Sequence, residues 1–230
     1  MTLTACRPVM AAAVIFVLAA LAGTSAGQAP AASAKSFLLV ASRNMPDPVF
    51  QQSVILMLPP DEPPLVAGVI INKPTDVTLG NLFKAPLPPE SRNQKVCFGG
   101  PVDLTEPLLV LRTSRPPKAA THLWADVYEV AEPDSISSVL QDSRVGNDAR
   151  LYLGRAQWAQ DQLRGELLEG AWSVLPVRTD LIFTNDSAKI WPLLSQHEHV
   201  REIGVHCLGT GGVLMSAMCS DALAWKRIGD

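Results

Sequence analysis

The chain has 230 residues, a formal net charge of −3, and a composition 47% apolar and 18% charged. That length points to one domain with ample residues to bury a core. A mildly acidic chain without a basic run lacks the electrostatic footprint of a protein that binds DNA or RNA.

The apolar excess sits at the front. Val9 to Ala22 is an unbroken apolar run of 14 residues, short of the roughly 20 a membrane span needs. It follows Arg7 and precedes the small residues Gly23 to Pro30, which is the layout of a secretory signal peptide. The expected signal peptide is residues 1–26, with cleavage after Ala26, Ala29 or Ala34; an uncleaved anchor and a misassigned start codon are the alternatives. No cysteine follows the run at a lipobox position, since Cys6 precedes it. The reading is export, periplasmic or secreted, with membrane attachment only through an uncleaved signal segment. Loss of residues 1–26 removes one Arg and no acid, which takes the charge to −4.

Residues 27–36 form an Ala/Gly/Pro/Ser leader, expected to be disordered, and 37–230 a single domain. Three short apolar runs open it: Phe37 to Ala41, Val54 to Leu58 and Val66 to Ile71, read as buried strands. Pro46 and Pro48 make Ser42 to Asp47 a loop, and the Pro-rich stretch 59–64 a stiff turn. A short helix is predicted over Leu79 to Lys84, capped by Asp76 or Thr78, followed by an exposed excursion from Ala85 to Gln94. Lys95 to Phe98 is a strand entering Gly99-Gly100-Pro101, where two glycines permit a positive-φ turn and close approach to other backbone. Leu108 to Leu111 and Leu123 to Val130 read as strands, and Asp134 is expected to cap a helix through Gln141. Ala149 to Leu153 is a strand ending at Gly154. Ala156, Ala159, Leu163 and Leu167 then fall at helical spacing, with Gly170 as the stop. Trp172 to Val177 is a strand, Asp180 to Phe183 a turn or short helix, and Asn185 or Asp186 begins a helix toward Gln196. These alternating elements predict a mixed α/β fold of the α+β class, one mixed sheet flanked by helices.

Several of these words, in order, resemble the YqgE/AlgH family. They are Met45-Pro46-Asp47-Pro48-x-Phe50-x-x-Ser53-Val54, Gly68 with Asn72-Lys73-Pro74, and Gly99-Gly100-Pro101-Val102. Leu153-Gly154 follows, with Ala156, Trp158, Gln162-Leu163, Glu166 and Ala171-Trp172. The match runs from about Phe37 to Trp191, and residues 197–230 diverge from the pattern. Arg155 stands where the family commonly has an aromatic, Gln157 where it has a small residue, and Arg112 or Thr113 where it usually has a histidine. The resemblance implies an AlgH-like α/β-mixed fold and supplies no catalytic residues. A transcriptional regulator is a weaker alternative that it brings.

Four constellations could carry chemistry. Arg43, Asn44, Asp47, Asn72, Lys73 and the Gly99-Gly100 turn lie at strand ends, where sites are commonly placed. Their cations and backbone N–H groups suit a carboxylate or phosphate, although turn caps and solvated side chains account for them as well. His197, His199, His206 and Cys207 fall within eleven residues but match no common zinc spacing, so no metal is expected. Export would leave Cys97, Cys207 and Cys219, an odd set that allows at most one intramolecular disulfide. Cys207 with Cys219 is the favoured pair, against all thiols free. Cys97 reads as a small buried hydrophobe. Gly209-Thr210-Gly211-Gly212 lacks the Lys-Ser/Thr of a phosphate loop, and no Gly-x-Ser-x-Gly elbow occurs. The expectation is therefore a non-catalytic binding protein for a partner or small ligand, without a cofactor or nucleic acid. An enzyme acting on an anion or small molecule through Arg43, Asp47, Asn72 and Lys73 is the alternative.

Overall fold

The apolar runs that begin at Phe37, Val54 and Val66 form strands, the first two buried on both faces. The structure, a computed structural model, describes residues 36–60 and 65–196, which fall within one unit. The first three strands are β1 (Phe37–Ala41), β2 (Val54–Met57) and β3 (Leu65–Ile70). Next come β4 (Pro74–Thr78), α1 (Leu79–Leu82), α2 (Pro89–Arg92), β5 (Lys95–Phe98) and β6 (Val102–Arg112). The hairpin β7 (Ala120–Trp124) and β8 (Val127–Val130) leads to α3 (Pro133–Gln141) and the long β9 (Ala149–Ala159). The described chain closes with α4 (Gln160–Leu168), β10 (Trp172–Pro176), α5 (Thr179–Ile182) and α6 (Ile190–Leu194).

Strand β9 is the spine. Its C-terminal half pairs antiparallel with β3, from Gly68↔Ala156 to Leu65↔Ala159. Beyond β3 lie β2, β1 and β10, all antiparallel. Its N-terminal half pairs antiparallel with β6, which continues to β8 and β7, and parallel with β5 through Cys97↔Tyr152 and Phe98↔Leu153. Strand β4 extends that branch from β5. The sheet is thus mainly antiparallel, with β5–β9 a parallel pair, which agrees with the predicted mixed sheet.

Side-chain alternation sends each strand into two cores. Leu38, Val40, Val54 and Leu56 pack on one face with Tyr152 and with Leu181, Ile182 and Ile190 of the C-terminal helices. Leu39, Ala41, Ile55 and Met57 pack on the other with Trp158, Trp172 and Leu163 of α4. A third cluster joins Leu109, Leu111 and Leu151 to Ile136 and Leu140 of α3. Burial on both faces explains why β1 and β2 read as continuous apolar runs without polar alternation. Each such leucine contributes about 1.5–3 kcal/mol on leaving water.

Several elements differ from the sequence reading. The stretch Ala85 to Gln94 is not a plain exposed excursion: it forms α2 and buries Leu87 and Ser91. Leu123 to Val130 is not one strand, because the chain reverses at Ala125, which adopts φ 44°. No Gly or Pro marks the turn in the sequence. Strand β9 does not stop at Gly154: φ 74° there bends the strand and lets it run on, so Ala156 and Ala159 are strand residues and α4 begins only at Gln160. Strand β6 starts six residues early, at Val102, through an irregular exposed stretch whose Asp103 has φ 52°. Strand β4 was not expected, because its polar, largely exposed residues give no apolar run. The cap of α3 is also displaced: Glu132 accepts from the amides of Asp134 and Ser135, with Pro133 in the first helical turn. A hydrogen bond from the Ser135 side chain, and then those amide bonds, hold the Glu132 carboxyl below its ordinary pKa.

Candidate functional site

The loop between β1 and β2 carries three of the residues singled out in the sequence. Asp47 Oδ1 accepts from the Val49 amide at 2.7 Å, and the Asp47 carbonyl accepts from the amides of Phe50 and Gln51. This is the local turn chemistry an Asp after Pro46 favours. The chain then passes through Gln52 at φ 55°, a left-handed conformation that is uncommon outside glycine. Asn72 meets that turn: its Nδ2 donates to the Gln52 carbonyl at 2.8 Å and its Oδ1 accepts from the Val54 amide at 2.7 Å. Lys73 Nζ donates to the Val49 carbonyl at 2.5 Å. Burial lowers the Lys73 amine below its ordinary pKa, and the nearby Asp47 carboxylate opposes the shift.

So the structure gathers Asp47, Asn72 and Lys73, and directs the two side chains from 72 and 73 onto backbone of the loop. Arg43 and Asn44 sit exposed at the end of β1. Gly99 and Gly100 are buried and touch β9 instead of solvent. A Cβ on Gly99 would lie 2.1 Å from the Gly154 carbonyl oxygen, and one on Gly100, at φ 152°, 2.2 Å from the Arg155 carbonyl carbon. The close approach read from two glycines is therefore made to Gly154. This crossing is wired to the loop: the Phe98 amide donates to the Lys73 carbonyl, and the Ile70 amide to the Gly99 carbonyl.

Beneath the loop lies a group assembled from three distant segments. The Phe50 ring stacks on Trp158 at 5.5 Å and meets Trp172 edge-on at 5.6 Å, while the two indoles cross at 89°. Glu166 Oε2 accepts both indole N–H groups, at 3.1 and 2.7 Å, and Oε1 accepts from Gln162. Trp158, Gln162, Glu166 and Trp172 were quoted in sequence order only; their common purpose needed the fold.

A second polar group lies in the core face under α5. Arg150 is 6% exposed. Its guanidinium donates to the carbonyls of Asn147, Ala149, Phe183 and Thr184 and to Asn185 Oδ1. These bonds fasten the segment after α5 to the sheet. Desolvation lowers the Arg150 pKa, pushes the Cys97 thiol up to about 11 and raises Tyr152 well above its ordinary value. Nearby, Arg112 pairs with Asp148 and lies over the Phe183 ring at 5.1 Å. Arg155, at the other departure from the family pattern, pairs with Asp103 at 2.6 Å across the irregular start of β6.

Sequence reasoning missed Arg150. The signal available was the strand alternation Ala149-Arg150-Leu151-Tyr152, which puts an Arg on the same face as Tyr152. Among the described residues no group of His, Cys, Asp or Glu is placed to hold a metal. His197, His199, His206, Cys207, Cys219 and the Gly209–Gly212 turn lie outside the described residues. Cys97 is a free, buried thiol.

The family model described as AlgH-like matches residues 38–204. The chain belongs to the AlgH-like family. Among its AlgH-like relatives, a UPF0301 protein of Vibrio parahaemolyticus is 29% identical over 161 residues, covering 66% of this chain and 85% of that one. A UPF0301 protein of a Shewanella species is 29% identical over 172 residues, covering 71% and 90%. The fold is that of the Pseudomonas aeruginosa AlgH protein in solution, at TM-score 0.59 and 21% identity over 80% of this chain and 98% of that one. A crystal structure of a Corynebacterium diphtheriae protein aligns at TM-score 0.59 and 25% identity, over 70% and 85%. The AlgH-like match extends past Trp191 into the segment the sequence reading had set apart.

Proposed function

We propose that this AlgH-like protein is exported to the periplasm or secreted, and acts there without catalysis by binding a partner protein or a small ligand. The supporting observation is the frame around the β1–β2 loop. Asn72 and Lys73 commit their polar groups to the carbonyls of Gln52 and Val49, which fixes the loop and presents Arg43, Asn44 and Asp47 on a rigid base. Recognition loops gain affinity from such ordering in advance of binding. Export rests on the apolar run from Val9 to Ala22 and its small-residue flank. A partner protein or small ligand suits the acidic balance of the chain; a nucleic acid, and with it a transcriptional role, does not.

Two measurements test the reading. Intact mass of protein recovered from the host envelope should begin between residues 27 and 35; a full-length mass in the cytosol would end the export half. For the binding half, Arg43→Ala with Asn44→Ala should abolish crosslinking to the envelope partner while the melting temperature holds.

A second reading keeps one specific observation: the Lys73 amine is lowered by burial beside Asp47, as in lysines that act as bases. On that reading the loops act on an anion or small molecule. Turnover of a small anion by the unaltered chain, lost in folded Lys73→Ala, would favour this reading; no turnover in the unaltered chain would end it.

A further inference from the structure

The connection from α1 to β5 is short of regular structure but firmly held. Pro86, Pro88 and Pro89 restrict its backbone. Leu87 is buried with Leu79 and Val96, and the amides of Ser91 and Arg92 both donate to the Pro88 carbonyl. This fold-back encloses a cleft of roughly 220 Å³ lined by Gly80, Phe83, Lys84, Pro86, Leu87 and Arg92 among others.

Its charge is one-sided. Two cations line the cleft and no carboxylate does. The Arg92 Nη2 is 3.4 Å from the Leu87 carbonyl, a long bond, and among the described residues neither Arg92 nor Lys84 has an ion-pair partner. Gly80 makes the arrangement fit. A Cβ there would lie 2.5 Å from Arg92 Cγ and 3.1 Å from the Arg92 carbonyl oxygen, so the stem of Arg92 crosses the bare backbone of Gly80. Arg92 and Lys84 both line this concavity, and a planar guanidinium fork and an ammonium suit the oxygens of a phosphate, by bidentate and point-charge recognition respectively. The volume accepts a phosphate group with a small substituent lying against Phe83 and Leu87.

We propose that this cleft is a binding site for a small phosphate monoester, held by Arg92 and Lys84. It is separate from the loop of Arg43, Asn44 and Asp47, so it stands or falls apart from the reading given above.

The test uses the full chain, titrated at low ionic strength with phenyl phosphate, inorganic phosphate and succinate, and followed by calorimetry. Phenyl phosphate should bind, and Arg92→Ala or Lys84→Ala should each weaken it about tenfold, which is one decade of Kd. Gly80→Ala should weaken it similarly by displacing the Arg92 stem, and a thermal melt of each variant verifies that it is folded. Arg92→Lys, which keeps the charge and loses the fork, should recover only part of the affinity. Unchanged binding in the folded Arg92→Ala/Lys84→Ala double variant would overturn the site. Succinate binding as well as phenyl phosphate would overturn the phosphate assignment. An absence of phenyl phosphate binding in the unaltered chain would overturn both. None of these outcomes bears on export or on partner binding through Arg43.

Discussion

Asn72 holds both sides of a strained turn: its amide nitrogen donates to Gln52, which sits at φ 55°, while its oxygen accepts the Val54 amide two residues on. One side chain therefore sets the exit of the β1–β2 loop and the start of β2. Asn72→Ala leaves the buried Val54 amide unpaired, at a cost of about 1–3 kcal/mol. Chemical denaturation should show a lowered midpoint with an unchanged slope. Lys73→Met should cost less, because burial already disfavours the charge it removes.

The crossing of Gly99 and Gly100 over Gly154 admits no side chain. Alanine at position 99 or 100 would place a Cβ within 2.1 or 2.2 Å of backbone atoms that have nowhere to go. Both variants should fail to give soluble folded protein, a loss above about 4 kcal/mol. Gly165 in α4 is the contrast, with nothing within 4 Å of an added Cβ. Gly165→Ala should raise stability by about 0.5–1 kcal/mol, read as a higher melting temperature.

Glu166 is the shared acceptor of two indoles. Glu166→Ala orphans the N–H groups of Trp158 and Trp172, both nearly buried, and each orphan costs about 1–3 kcal/mol. Tryptophan emission should shift to the red as the Phe50–Trp158–Trp172 stack loosens. Glu166→Gln keeps an acceptor oxygen and should lose less.

Cys97 predicts the alkaline behaviour of the fold. Its folded pKa is raised to about 11 by burial, so the folded state holds the proton longer than the unfolded state. Its contribution to stability is complete below the ordinary thiol value and is lost as pH climbs through about 11. Cys97→Ala should flatten that limb of a pH–stability profile. At pH 8 an alkylating agent, with labelled peptides mapped by mass, should modify Cys97 only after denaturant is added.

The legible part of this fold was the buried part. Runs such as Phe37–Ala41 and Val54–Met57 are apolar on both faces, and no competing reading suits four or five such residues between prolines. The exposed strand β4 and the early part of β6 were hidden because Asp76, Asp103 and Glu106 supply no pattern. Gly154 was read as a stop because glycine commonly ends elements; its left-handed φ instead bends a strand that continues. At the candidate loop, residue types placed Asn72 and Lys73 in the connection from β3 to β4 and Asp47 within the loop between β1 and β2. They could not say that Asn72 and Lys73 turn toward backbone, since that depends on where Val49 and Gln52 lie. The role of Arg150 was hidden for a similar reason: beyond its strand alternation, three of its five acceptors come from residues 183–185, far along the chain.

The register that sets Phe37 against Pro176 and Ala41 against Trp172 has a consequence for the timing of biosynthesis. A ribosome completes β1 and β2 long before β10 exists, and until then one side of β1 is an open edge, ready to join a foreign strand. Closing so long a loop makes the final pairing slow. Until that pairing forms, β1 depends on a chaperone to shield its edge. Premature release before residue 172 should therefore yield aggregates instead of a smaller folded core.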